Sequence, residues 1–442
     1  MTLTGALVKS TIVAALGGLL FGFDTAVIAG TTAGLTSAFS LTPGTLGLTV
    51  AIALIGTVVG SMLAGIPGDR YGRRDSLRVM AVLYFVSAAG CALSWDWYSL
   101  MFFRFIGGLA IGGSSVLGPM YIAEISPAKL RGRLVGFFQF NVVAGILVAY
   151  LSNYVIGRGG FGVNEWRWML GVAGLPALLF FLMLFTIPRS PRWLAQKSRL
   201  TEARGVLVEI GEEDPDAELA DIVASLDVEH GHGAEPLFQR KYRIPIYLAV
   251  AIGMFNQFSG INAILYYLND IFSRAGFSKV SGDAQAVLIG ITNLIAVTLA
   301  MSIIDRVGRK TLLLIGSVGC AACLGGVAAI FLRGGHENWL VWLLVGFIAF
   351  FSFSQGAVIW VFISEVFPTR VRAKGQSLGS FTHWFMNAVI SWTFPIVASH
   401  SRGAPFVFFS AMMVLQFFVV LLSFPETKGI TLEDMQRKFG IA

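Results

Sequence analysis

Gly65-Ile66-Pro67-Gly68-Asp69-Arg70-Tyr71-Gly72-Arg73-Arg74 stands between two long apolar runs, and Asp305-Arg306-Val307-Gly308-Arg309-Lys310 repeats its second half far along the chain. A second pair keeps nearly the same separation: Glu124-Ile125-Ser126-Pro127 leading to Arg131-Gly132-Arg133, then Glu365-Val366-Phe367-Pro368 leading to Arg372-Ala373-Lys374. Helix ends decorated at random with charge do not repeat twice at almost one offset, so the chain consists of two copies of one unit. An Asp, a Gly-containing tight turn and two cations set charged groups at helix ends. There Asp and Arg can bridge neighbouring helices in one conformation and part in another. Partly exposed pairs of this kind are individually weak, which suits a latch that opens.

Outward from these motifs the sequence is apolar. Of 442 residues, 55% are hydrophobic and only 13% charged, where a soluble chain carries about 25% charged. Apolar runs of roughly 20 residues, the length that crosses hydrocarbon, recur from end to end. No alternating pattern of the barrel type is present, and backbone satisfaction in lipid then leaves helices. Spans are expected near 10–33, 44–66, 75–94, 98–122, 134–156 and 166–187, and again near 243–270, 284–304, 310–332, 339–364, 375–399 and 404–423. The expected fold is therefore an all-α membrane protein of twelve transmembrane helices in two six-helix bundles. The bundles are 1–187 and 243–423, with a helical linker at 188–242 and a tail at 424–442. Asp24 interrupts the first apolar stretch and eleven more follow it, so that stretch reads as a retained span and not a signal peptide. Six spans per half make the repeats parallel, an arrangement that suits two bundles rocking about a central site.

The net charge of +7 invites a nucleic-acid reading, which its distribution removes. With both termini inside, 25 of the 32 Lys and Arg fall in inner segments, the positive-inside asymmetry that sets orientation. The basic balance thus reflects topology and a lipid bilayer as solvent; no nucleic-acid partner is implied. Short outer loops and the lack of an N-x-S/T sequon point to a bacterial inner membrane with both termini cytoplasmic. Cys91, Cys320 and Cys323 sit in apolar spans and read as packing residues. The link Glu229-His230-Gly231-His232-Gly233 reads as a hinge. No metal-ligand cluster, nucleophile–base pair or phosphate-binding loop is visible, so a carrier without metal or cofactor is expected and an enzyme is not.

Further motifs complete the set: Pro188-Arg189-Ser190-Pro191-Arg192-Trp193 after the sixth span, Gln257-Phe258-Ser259-Gly260-Ile261-Asn262 in the seventh, and Pro425-Glu426-Thr427-Lys428-Gly429 after the twelfth. Together with the paired motifs they make the chain resemble, end to end, the sugar porter family of the major facilitator superfamily, which includes proton–monosaccharide symporters and glucose facilitators. The resemblance implies an inner gate at Asp69, Arg73, Arg74, Glu124, Arg131, Arg192, Asp305, Arg309, Lys310, Glu365, Arg372 and Glu426. Arg189 departs from it, since the family usually carries Glu there to hold the latch, whereas Glu426 at the matching place fits.

Two charges lie inside apolar sequence. Asp24 is mid-span in Phe21-Gly22-Phe23-Asp24-Thr25, and Arg104 is near the start of the fourth span. A carboxylate at that depth costs several kcal/mol unless paired, protonated or hydrated, which marks a functional site. The resemblance implies that Asp24 and Arg104 pair and couple the proton, because many facilitators have Asn at the acidic position. An acid beside a cation keeps its charge, and away from it in a dry place it takes up a proton. A static structural ion pair is the competing reading.

A sugar requires neutral donors and acceptors and an aromatic face. The spans supply the amides Gln139, Asn256, Gln257, Asn262 and Asn293 and the rings Tyr266, Trp360 and Trp384. Gln257, Asn262 and Tyr266 are spaced to share a broad helix face, and helix–helix hydrogen bonding is the rival role for any one amide. The resemblance adds Gly356, which would let the broken tenth helix bend, and Asn387. Two more departures fall here: Asn256 stands where glutamine is usual, and His383 replaces the amide that normally precedes the tryptophan matching Trp384. His383 is taken as a candidate that helps set substrate choice. The expected partners are a monosaccharide and a proton, with the monomer as the working unit. A passive facilitator, a sugar receptor and a drug or organic-anion exporter are the alternatives.

Overall fold

Long apolar segments fold as helices, and among the described residues every regular element is helical. The computed structural model describes residues 4–127, 130–231, 235–430 and 432–441, with the side chains of 227–231, 280, 305, 369, 432, 433 and 436 outside the description. Eleven helices are long and apolar enough to cross a membrane. The twelfth, Arg372–His400, has 29 residues, against 30 in the longest of the eleven. Its polar side chains lower its apolarity, yet His383, Asn387 and Ser391 among them are buried. It is a span lined by protein on its polar face, and the molecule is a twelve-helix membrane protein.

The first span begins earlier and ends later than its apolar run: Gly5–Val27 tightens into a turn at Ile28–Gly30 and resumes as Thr32–Phe39. Three short helices, Pro191–Gln196, Leu200–Ile210 and Pro215–Gly231, occupy the polar stretch between the halves. Ser190 caps the first of them by accepting from the Trp193 backbone N–H at 3.2 Å, with Pro191 supplying a preset φ at the first position. Of the His/Gly link, His232 and Gly233 lie outside the described residues.

Contacts divide the chain into two units. One comprises residues 1–27, 55–152 and 166–233; the other comprises 28–54, 153–165 and 234–442. The core of the first gathers Val13, Leu77, Leu117, Tyr121 and Phe180, and reaches Ile222 and Leu226 of the polar stretch. The core of the second gathers Leu248, Ile252, Leu312, Val358, Phe362 and Phe424. In each, one glycine closes the turn of the repeated motif at positive φ: Gly72 at 93° and Gly308 at 101°. Any side chain there is strained, which explains why the turn recurs with glycine.

Candidate functional site

In the first unit, Asp24 and Arg104 do meet. The Arg104 Nη2 lies 3.9 Å from the Asp24 Oδ2, with the guanidinium side chain 3% exposed and the carboxylate 19%. That distance is ionic contact but too long for a hydrogen bond. The pair lines a small cavity with Tyr84, Ser87, Cys91 and Ala173. Its free centre of about 10 Å³ is one water's worth of space. Gly107 packs closely against the cavity's Ser87, since a Cβ there would fall 2.5 Å from the Ser87 Oγ. Tyr84 and Ser114 share a hydrogen bond at 2.9 Å beside it. Gln139, also in this unit, is half-buried on the helix Arg131–Gly157.

In the second unit the seventh span is broken, and the breaks place its amides. The helix Arg243–Phe258 ends at Ser259, Gly260 turns at φ 79°, and Ile261–Tyr266 restarts the helix. The expected single face for Gln257, Asn262 and Tyr266 is therefore corrected. The left-handed turn brings Asn262 back so that its Nδ2 donates to the Gln257 Oε1 at 3.1 Å. Tyr266 turns elsewhere and accepts from the Asn387 Nδ2 at 3.2 Å. Gln257 donates through Nε2 to the Asn256 Oδ1 at 3.0 Å and faces both ring nitrogens of His383 at 3.2 Å. The His383 ring lies between Trp360 and Trp384, with ring centroids at 5.1 and 4.9 Å. Trp384 is nearly buried, whereas Trp360 keeps 37% of its surface exposed.

Asn293 is buried and accepts from the Ser352 hydroxyl at 2.7 Å. Ser352 opens a single wide turn, Ser352–Gly356, inside the tenth span, and such turns mark irregular helix at functional sites. Gly356 itself has an ordinary helical φ of −61°. A Cβ there would meet the Phe351 ring at no closer than 3.4 Å. The irregularity belongs to the whole turn and does not depend on the glycine.

The repeated motifs assemble into two matching clusters, one in each unit. In the first, Glu124 accepts from the Arg73 Nε at 2.9 Å and from the Ser190 hydroxyl at 2.5 Å. Arg73 also reaches Asp69 at 3.0 Å, and Arg192 lies in the first turn of the helix Pro191–Gln196. In the second, Glu365 accepts from the Arg309 Nη2 at 2.8 Å and from the Thr427 hydroxyl at 2.6 Å. Glu426 accepts from the backbone N–H groups of Arg309, Lys310, Thr427 and Lys428 at 2.9 to 3.1 Å. Partial burial works to raise the Glu426 pKa, but those four donors win and hold it below the usual carboxylate range. Arg131 reaches the Ser126 carbonyl at 3.5 Å, Arg372 opens the eleventh helix, and the side chain of Asp305 lies outside those described.

Sequence reading passed over Ser190, Thr427 and Asp75. The first two each sit two residues after a proline, Pro188 and Pro425, a signal hidden by the different residue between. Asp75 receives Arg189: the guanidinium donates to the Asp75 Oδ2 through Nη2 at 2.9 Å and Nε at 3.2 Å. Arg74 and Arg78 converge on the other Asp75 oxygen at 3.1 and 2.7 Å. The reversed charge at position 189 thus has its own acid.

Comparison with known proteins places this geometry. A family model described as "Sugar (and other) transporter" matches residues 10–439. The chain is 36% identical to the D-xylose-proton symporter of Escherichia coli (strain K12), covering 96% of this chain and 94% of that protein. It is 36% identical to the arabinose-proton symporter of Bacillus subtilis (strain 168), covering 98% and 95%. The solved inward open conformation of the xylose transporter XylE from E. coli matches with a TM-score of 0.88 at 36% identity, covering 98% of this chain and 99% of that one.

Proposed function

Because the chain belongs to the sugar porter family of the major facilitator superfamily, we propose that it imports a monosaccharide together with a proton by alternating access. The observation that carries this reading is Asp24, a mid-span carboxylate held 3.9 Å from the buried Arg104. Burying such a charge mid-span is costly, which marks the acid as a functional group. In the ionised state the carboxylate faces the guanidinium; once the pair separates in a dry cavity, the acid takes a proton. Protonation and conformation are thereby linked, and the proton gradient drives uptake.

In the second unit the sugar's hydroxyls meet the amides Gln257, Asn262, Asn293 and Asn387 with Tyr266, and Asn256 and His383 complete the site behind Gln257; Gln139 is the sugar-binding candidate of the first unit. Trp360 and Trp384 cover its C–H surface, and the wide turn ending at Gly356 lets the tenth span yield. Residues 1–187 and 243–423 act as the two moving bundles, joined by 188–242 and followed by the tail 424–442. The motif clusters, from Asp69, Arg73, Arg74, Glu124, Arg131 and Arg192 to Arg309, Lys310, Glu365, Arg372 and Glu426, serve as the inner gate. The protein works as a monomeric carrier, not an enzyme, in a bacterial inner membrane with both termini cytoplasmic. The named symport activity of two relatives supports the coupling.

Purified protein in proteoliposomes tests the proposal. Adding a transported pentose or hexose should alkalinise the outside medium as sugar enters. Sugar flux without a pH change would assign a facilitator of the same fold, and binding without flux would assign a receptor.

A further inference from the structure

The two residues that depart from the family pattern in the sugar-binding region, Asn256 and His383, converge on one group, the side-chain NH2 of Gln257. That NH2 has two hydrogens. One is directed to the Asn256 Oδ1 at 3.0 Å; the other has His383 ring nitrogens at 3.2 Å. A neutral imidazole offers one bare nitrogen as acceptor, so both hydrogens are taken. The far end of Gln257, its Oε1, accepts from the Asn262 Nδ2 at 3.1 Å. Asn256, Gln257 and His383 are 3%, 1% and 8% exposed. Asn262 is the half-buried member.

Resting on the sugar-transport reading above, we infer that Asn256 and His383 are positioning residues that act through Gln257 to fix which face of the Asn262 amide the sugar meets. The polarity runs one way along the chain. With the Gln257 NH2 consumed behind it, its Oε1 takes a hydrogen from Asn262, and the Asn262 Oδ1 is left to accept from a sugar O–H. Turning Gln257 over would set its oxygen against the Asn256 oxygen unless Asn256 turned as well. The polarity is thus shared by the three amides, as expected of a buried hydrogen-bonded chain. It would present the opposite pattern only if the whole relay reversed. The pair therefore leaves the Asn262 Oδ1 as an acceptor for a sugar hydroxyl, beside the second Nδ2 hydrogen, which can still donate.

The test uses purified full-length protein and a sugar it binds, with monofluoro analogues at each ring position. Fluorine occupies the place of a hydroxyl and cannot donate. Wild type should bind the analogue at one ring position at least tenfold more weakly than the parent sugar. Asn256→Ala and His383→Phe each free a Gln257 hydrogen, and that penalty should shrink to about threefold or less. His383→Gln, which restores an acceptor, should recover part of it. The double variant should depart from the product of the single effects by at least threefold, as residues that share a hydrogen-bond network do. A wild type that penalises fluorine at no position overturns the inference, and this holds even where a variant fails to fold. Penalties unchanged in both single variants, or effects that simply multiply, overturn it as well. A wild type that binds none of the pentoses and hexoses tested would instead overturn the sugar reading itself.

Discussion

The two units carry the same charged triad and finish it differently. Arg73, Glu124 and Ser190 in one answer to Arg309, Glu365 and Thr427 in the other, with an arginine and a hydroxyl on each glutamate. The residue before the hydroxyl is Arg189 in the first and Glu426 in the second. Each lies by the start of the helix after the motif glycine, where unpaired N–H groups favour negative charge. The helix Arg309–Arg333 has no acid in its first turn, and Glu426 arrives from the tail to accept its first N–H groups. The helix Arg73–Leu93 has Asp75 in its first turn, so a second acid there would meet like charge and an arginine is the residue that fits. The repeat conserves electrostatic balance at the helix start, and the sign at one position follows from what the helix already holds. Deeper in the spans the units differ again, with an ion pair at Asp24 and Arg104 in one and a relay of neutral groups in the other.

The largest test separates those deep sites. Asp24→Asn should abolish accumulation against a gradient while sugar exchange persists, measured as uphill and counterflow uptake in the same vesicles. A variant that still concentrates sugar under a pH gradient would sink the coupling role. Asn262→Ala should act on the other side of the comparison and weaken sugar binding by about 1–3 kcal/mol, the cost of one buried hydrogen-bond partner. Proton coupling should remain for whatever sugar still enters. Unchanged affinity by calorimetry would mean that the amide relay is not the site.

At the helix ends the effects are smaller. Glu426→Ala strands several backbone donors and should cost about 1–2 kcal/mol, reduced by its partial exposure to solvent. Glu426 is held below its ordinary value of 4.5. Its contribution is therefore full above that pH and fades as pH falls through the lower, folded value. Thermal unfolding of wild type and Glu426→Gln should differ at pH 7 and converge on acidification below about 4.5. A gap that stays constant with pH counts against the charge-based account. Arg189→Ala should be the mildest change, below about 1 kcal/mol, because its pair with Asp75 is partly exposed. A large loss of stability there would show that the arginine, and not Asp75, carries the first cluster.

Hydrophobic run length, the paired motifs and the lone mid-span charges were legible without coordinates, because each is a one-dimensional signal: hydrocarbon thickness, repeat spacing, and the cost of charge in lipid. They fixed the helices, their number and the suspicion attached to Asp24. Tertiary structure alone decided who touches whom. Asp75 opposite Arg189, Ser190 and Thr427 on their glutamates, and His383 behind Gln257 are separated by tens to hundreds of residues in the chain. The left-handed turn at Gly260, which brings Asn262 back onto Gln257, is a matter of backbone direction. Side-chain pairing depends on distance in space, which falls off with no regard for sequence, so composition and periodicity carry no record of it.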